Sequence, residues 1–467
     1  MHTPSNTPLA SGAPHSTGNR SGIQRLRSWW WPTFIFFYPL LLIPPFLPAA
    51  SLAVTGPGFF TYGVLLHLVY MLVFCLGGLV LELLQHPNTR LKDIRHVGKW
   101  LWNNKPIATA WLLGIWSLVS TVFSDDPPAS LTGGGYDALD SAVWLFALII
   151  VLTLVYIRSR YDNSLAARCV GAAIASAVLL ASVGLAEVFV GRNLLIPGFT
   201  SDVPITNFPQ KGHLAGWLAV ACAASFAIRS KWALYSMLIL GLVIGTTTNR
   251  AALLAISVIA LLAIITSKEK YQTLWRTALV VLVCALGVMM STIVHKQQSK
   301  QLQSTVSAIS RSYLWTAAYR GILAHPITGW GGGQFYRHWP KFLSAAELNG
   351  FTQSELGETF VRREGYIIFT QLPDGTTAPR IWTAWKAHNQ ILDISIAYGI
   401  PGGLLYISLI VMGLINARTL PLRLAVLAYS TFMLFWFAIP HSEGAVWALW
   451  ALALAGPARD LQSGNQS

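Results

Sequence analysis

The sequence predicts an all-α integral membrane protein of about twelve transmembrane helices, with one large outer loop that carries short helices. Three observations lead there. Hydrophobic residues make up 54% of the 467 positions and charged residues only 11%, with a mean hydropathy of +0.52. That leaves too few polar groups to clothe a water-soluble globule of this length. The apolar runs recur at roughly 17 to 22 residues, the length a helix needs to cross about 30 Å of hydrocarbon, and lack the ten-residue alternation of an outer-membrane barrel. Finally, Arg311 to Pro401 is a long basic and aromatic stretch between apolar runs, and loops far longer than a turn requires tend to hold function.

Taken in order, residues 1–28 read as a disordered cytoplasmic tail rich in Ser, Thr, Pro, Gly and Asn. The first apolar run is Trp-rich and Pro-broken and has no small-residue cleavage site, so it does not read as a signal peptide. Spans are expected at 32–50, 60–84, 107–123, 141–157, 169–190, 213–228, 233–248, 251–266 and 277–294, nine helices within 29–294. The large loop fills 295–399, three further spans at 400–416, 424–440 and 445–457 occupy 400–457, and 458–467 forms a second cytoplasmic tail. Orientation follows from the short loops, because cytoplasmic ones retain Lys and Arg. Arg25 and Arg27 precede the first span, and Arg90 to Lys105, Arg158 to Arg168, Arg229 with Lys231, Lys268 to Arg276, and Arg418 with Arg423 fall on the same side. Both termini are therefore expected in the cytoplasm and 295–399 outside, in the periplasm of a Gram-negative envelope.

Much of the net charge of +14 is thus topological. The basic residues are spread over many loops rather than one face, which argues against a nucleic-acid partner. Topology does not explain the cations left outside, among them Lys211, Arg250, Arg311, Arg320 and Arg337, and these suggest an anionic ligand. Cys75, Cys169, Cys222 and Cys284 all fall in spans and draw neither a disulfide framework nor a zinc spacing. A phosphate-binding P-loop, a His-Glu-x-x-His pair and a Gly-x-Ser-x-Gly elbow are also missing, so no metal and no cofactor is expected.

Candidate chemistry sits at four places. Arg311 to Pro326 reads as an amphipathic helix stopped by His325-Pro326 and followed by Gly329-Trp330-Gly331-Gly332-Gly333. Arg311 and Arg320 lie about two and a half turns apart, and either guanidinium could fork a phosphate or simply snorkel. Before the last apolar group come Trp382, Trp385, Lys386, His388 and Asn389. His388 suits proton transfer near neutral pH but also reads as a polar helix cap. Trp382 and Trp385 could stack on sugar rings or belong to an interfacial aromatic belt. The turn Thr246 to Arg250 is so short that Arg250 must sit at the outer boundary, where an unpaired cation is costly. Asn207 to Ala215, with Gln210 and His213, is a polar entry to a helix. Asp125-Asp126 before Pro127-Pro128 reads as a span-ending turn rather than an acid pair for metal-dependent glycosyl transfer.

Together, Thr248-Asn249-Arg250-Ala251-Ala252-Leu253-Leu254, Arg311 through Gly331, and His388-Asn389 followed by Gly399-Ile400-Pro401-Gly402 resemble the O-antigen ligase and polymerase superfamily. The resemblance covers residues 205 to 416 in motif and nearly the whole chain in topology. It implies a metal-independent membrane glycosyltransferase that moves a glycan from undecaprenyl diphosphate to a periplasmic acceptor. It also implies that Arg250 and Arg311, with Arg320 nearby, bind the diphosphate, and that His388 is the essential histidine. Gln210 and His213, with Asn389 and Trp385, would then face the substrates. The stretch Asn207 to Ala215 is similar to a motif of protein O-oligosaccharyltransferases, although Gly212 stands where that branch commonly has Asn. The acceptor implied is a lipid A core sugar, a Ser or Thr of a secreted or pilin protein, or another lipid-linked chain, as in a polymerase. A secondary transporter is the reading from a different class, and the scarcity of ionisable residues at span centres speaks against it.

Overall fold

The computed structural model describes residues 22–41, 57–85, 100, 102–133, 138–195, 203–208, 210–266, 269–295, 303–380 and 384–456. Residues 1–21 of the first tail, the second tail at 458–467, the basic loop from Arg90 to Lys99, and Trp382 lie outside them, whereas residues 22–28, expected as part of the first tail, are helical. The chain is a helical membrane protein. Its first half contributes α1 (Gly22–Phe37), α2 (Pro57–Gln85), α3 (Lys105–Val122), the short α4 (Pro127–Thr132), α5 (Ala142–Ser159) and α6 (Leu165–Val190). Then come α7 (Lys211–Phe226), α8 (Lys231–Thr247), α9 (Arg250–Thr266) and α10 (Lys270–His295). Among the described residues six helices are long and apolar enough to cross a membrane: α2, α3, α5, α6, α10 and α14 (Gln390–Asn416). The apolar α8, α9 and α15 (Leu420–Met433) are shorter. At 16 and 15 residues, α7 and α16 (Pro440–Leu454) reach only about 24 Å at 1.5 Å per residue, and both are buried almost all round. They form the centre of the bundle.

Close crossings fix the packing. α8 and α10 meet at Gly245 and Gly287, where a side chain on Gly245 would strike the Cys284 carbonyl and one on Gly287 the Leu242 carbonyl. Small residues that let two backbones touch are a recurrent device of helix association in membranes. The Glu187 carboxylate, near the end of α6, accepts backbone N–H bonds from Leu194 (3.0 Å), Ile205 (3.1 Å) and Thr206 (2.9 Å). It thereby folds the chain back toward α7. Asn207 completes that return by donating to the carbonyls of Pro39 (2.8 Å) and Leu41 (3.1 Å).

The large loop is a small layer with its own core. It contains α11 (Gln303–Ala324), the single turn α12 (Phe335–His338) and α13 (Ala345–Leu356), the last opened by a Ser344/Glu347 capping box. It also contains a three-stranded antiparallel sheet, which the expectation of helices alone did not include: β1 (Thr359–Glu364), β2 (Ile367–Gln371) and β3 (Thr377–Arg380), in the order β1-β2-β3. Leu314, Ala318, Trp339, Leu348, Phe351 and Ile368 pack together in this layer, and Ile396 of α14 joins it to the bundle.

A second difference concerns α14, which begins at Gln390 rather than at 400. Its helical path breaks at Tyr398 and Gly399, where Gly399 has φ +70°. The break frees carbonyls, and buried carbonyls need donors. The glycine run supplies them: Trp330 N–H donates to the Ile396 carbonyl (2.9 Å) and Gly331 N–H to the Ala397 carbonyl (2.9 Å), while in the other direction Ile400 N–H donates to the Pro326 carbonyl (2.8 Å). From α3, Ser120 donates to Ala397 (2.7 Å) and the Trp116 indole to Tyr398 (2.8 Å). Gly329, at φ +69°, lies so close to Ala397 and Gly399 that any side chain would collide with their backbone. The two glycine motifs of the sequence are therefore two halves of one joint.

Candidate active site

The segment that carries His388 is clamped from both sides. On one side Lys386 makes a buried ion pair with Asp140, and the Tyr398 hydroxyl donates to the Asp140 carbonyl. On the other, Ala387 N–H donates to Asp393 (2.7 Å), and Asn389 caps α14 by accepting from Ile391 (3.0 Å) and Leu392 (3.2 Å). Gln390 accepts from Ala438 N–H (2.6 Å), which ties the start of α14 to the link between α15 and α16. Between these clamps His388 takes φ +58°, a left-handed conformation uncommon outside glycine and one that clusters at functional sites.

The ring of His388 stands edge-on to Trp436 (5.7 Å between centroids) and Phe437 (5.0 Å), which stack on each other in the link before Pro440. His213, near the start of α7, stands edge-on to the same two rings, at 6.1 and 5.3 Å. The Arg311 guanidinium lies over Trp436, 5.2 Å from the ring centroid, a cation–π contact. Three candidates from distant parts of the sequence thus share one aromatic pair. Gly212 makes the approach possible, because a side chain there would collide with the Trp436 indole and come within 2.8 Å of Asn249 Nδ2.

Electrostatics match this arrangement. Burial and the neighbouring Arg311 charge push the His388 pKa down to about 4, opposed by its bond to the Lys386 carbonyl. His388 is therefore neutral near pH 7. Its Nδ1 lies 3.2 Å from that carbonyl, which can only accept, so Nδ1 carries the proton and Nε2 is the free base. Burial also lowers the Arg311 pKa, with the Glu355 charge opposing and the Arg250 charge adding. Arg250 itself is exposed at the first position of α9, beyond the left-handed Thr248 (φ +52°) that makes the turn. Lys211 reaches Thr248 Oγ1 at 3.2 Å, which brings a further cation to this end.

Other candidates are placed elsewhere. Arg320 is exposed and grips Glu347 with two bonds of 2.8 and 2.9 Å while donating to the Phe342 carbonyl. It holds α11 to α13 and is not brought to the Trp436 cluster. The Trp385 ring packs near Tyr336 (6.1 Å), and Gln210 is exposed at the N-cap of α7. Asp126 caps α4 and pairs with Arg337 (2.5 Å), as a span-ending turn would. Trp436 and Phe437 were not singled out from the sequence, since they lie in an apolar run read as a continuous span. Their one signal is the Phe435-Trp436-Phe437 cluster shortly before a proline.

The arrangement can hold an anion beside a neutral imidazole. Residues 234–355 match the family model described as O-Antigen ligase, while no curated protein sequence matches the chain. The matched range runs from α8 to α13 and includes Arg250 and Arg311, with His388 lying beyond it. Over residues 234–355, then, the chain is similar to the O-antigen ligase family.

Proposed function

We propose that this membrane glycosyltransferase moves a glycan from undecaprenyl diphosphate to an acceptor hydroxyl at the periplasmic face of the inner membrane, as an O-antigen ligase or a protein O-oligosaccharyltransferase. The observation that carries the reading is the convergence of Arg311, His388 and His213 on Trp436 and Phe437, at the end of the bundle where Arg250 begins α9. The sidedness is supported by the opposite end. There Arg168 bonds the Ser28 carbonyl (3.0 Å), and Arg160 and Arg418 both bond the Ala455 carbonyl, which gathers basic residues assigned to the cytoplasm.

In this reading Arg250 and Arg311 hold the diphosphate, and no step requires a cofactor. As the bond from the anomeric carbon to the phosphate oxygen breaks, negative charge grows on the leaving group. Fixed guanidinium groups near a low-dielectric boundary stabilise it without reorganising. The acceptor oxygen attacks the anomeric carbon from the opposite face and inverts it, and its proton passes to Nε2 of His388. Purified protein given undecaprenyl-diphosphate-linked glycan and either core lipid A or a pilin-like protein tests this. Transfer by wild type and none by a folded His388→Ala supports the role of His388, and undiminished transfer by the variant rejects it. Extension of the lipid-linked chain without transfer to either acceptor points to a polymerase instead.

A further inference from the structure

The far ends of the same helices hold a second cationic site. Between the end of α7, the end of α9, the start of α10 and the start of α15 lies a cavity of about 380 Å³. Arg229, Arg276 and Arg423 line it, with Glu269 as the acid among its lining residues. Since α7, α9, α10 and α15 each run once through the bundle, this cavity sits at the opposite end from Trp436 and Arg250. It belongs to no part of the proposed reaction.

Its construction is specific. Arg276 Nη1 donates to the carbonyls of Phe226 and Ile228, both at 2.8 Å, which closes the end of α7 and fixes the guanidinium at the cavity wall. Arg423 donates one bond to the Ala417 carbonyl (3.1 Å), and Arg229 pairs with Glu269 (2.6 Å). The remaining donors of the three guanidiniums have no protein partner among the described residues. Among the described lining residues, three positive charges against one negative leave a net excess of two. The walls below the arginines are apolar: Phe226, Leu262, Ala263 and Leu424. Leu261 (60% exposed) and Ile265 (67% exposed) continue an apolar surface along α9.

We infer that this cavity binds the phosphate headgroup of an anionic glycerophospholipid. Charged donors at the rim with apolar walls leading away match a headgroup followed by acyl chains. Basic pockets between membrane helices are the known physical solution for such lipids. A soluble anion would use the arginines but gain nothing from the walls. Forked arginine donors suit a phosphodiester, and their net charge excludes no anionic headgroup while giving phosphatidylcholine, which is neutral overall, no comparable attraction.

The test uses the full-length protein in detergent, with native mass spectrometry to count retained lipids and a melting curve as a second readout. The probes are dioleoyl phosphatidylglycerol, dioleoyl phosphatidylcholine and inorganic phosphate. Because Arg276 also closes α7 and its replacement could unfold the region, the main variant is Arg229→Gln/Arg423→Gln, and Arg276→Gln is tested beside it. The expected result is retention of phosphatidylglycerol over phosphatidylcholine and a higher melting temperature with phosphatidylglycerol alone. Affinity should fall about fivefold for each arginine removed. Equal retention of both lipids, undiminished binding by the folded double variant, or the same protection from inorganic phosphate overturns the assignment. Glycan transfer is not among the readouts, so failure of the proposed reaction leaves this test unaffected.

Discussion

Replacing Gly212 with Ala probes the site through a residue that has no side chain of its own. The new methyl would collide with Cζ2 and Cη2 of Trp436 and come within 2.8 Å of Asn249 Nδ2, so the indole must shift. Forcing a methyl into a packed site costs about 1–3 kcal/mol, partly offset by up to about 1 kcal/mol of helix propensity gained when Ala replaces Gly. A net loss between about 0 and 3 kcal/mol is expected. The functional loss has a separate source, since a displaced indole no longer lies under Arg311, and that contact is worth about 0.5–2 kcal/mol. Donor binding should weaken by about 2- to 30-fold. The assay is a double-mutant cycle with Trp436→Phe, which removes the part of the indole that the methyl strikes. If the collision is the cause, the two changes couple by at least about 1 kcal/mol in both melting and donor affinity. Strict additivity would refute the geometry proposed for this site.

Further outcomes follow from the same contacts. His388 stays neutral down to about pH 4 in the folded chain, whereas an unfolded imidazole takes a proton near 6.5. The unfolded state then binds more protons between those values, so stability should fall as pH drops from about 6.5 to about 4. In His388→Gln, pH-dependent melting should lose a slope worth at most about 3 kcal/mol. Arg311→Lys keeps a charge but loses the planar fork, and its kcat/KM for transfer should drop on the order of a hundredfold. Arg320→Ala should loosen α11 from α13, seen as faster proteolysis of the loop, with transfer retained; a loss of transfer as large as that of Arg311→Ala would return Arg320 to the diphosphate site. Lys386→Met leaves Asp140 buried and unpaired and should cost about 3–5 kcal/mol, most of it recovered in Lys386→Met/Asp140→Leu.

The helical bundle was legible because hydrophobic length alone reports a helix that meets lipid. That signal weakens for α7 and α16, whose 16 and 15 residues are surrounded by protein. The β-sheet of the loop was missed although Gly365 and Gly375 mark its two turns, with φ +60° and +82°. β1 is exposed at nearly every position, so it lacks the alternation that identifies a half-buried strand. His388, Arg250 and Arg311 could be picked out by residue type and order, but the sequence holds no information on which aromatic rings they share. Trp436 and Phe437 were hidden in an apolar run, and Gly212 read as a departure from a motif before its contact with Trp436 was known. Likewise, the glycine loop at 329–333 and the break at Tyr398 and Gly399 explain each other only as a pair, since each supplies what the other lacks.

The most direct measurement of the central claim separates binding from chemistry at the Trp436 cluster. Wild type, Arg311→Ala and His388→Ala, each verified as folded, would be tested for donor-lipid binding and for single-turnover transfer of undecaprenyl-diphosphate-linked glycan. If Arg311 holds the donor and His388 takes the proton, His388→Ala binds the donor with near wild-type affinity yet transfers nothing, while Arg311→Ala loses donor binding itself. Transfer by His388→Ala at the wild-type rate, or unaltered donor binding by Arg311→Ala, would contradict this assignment.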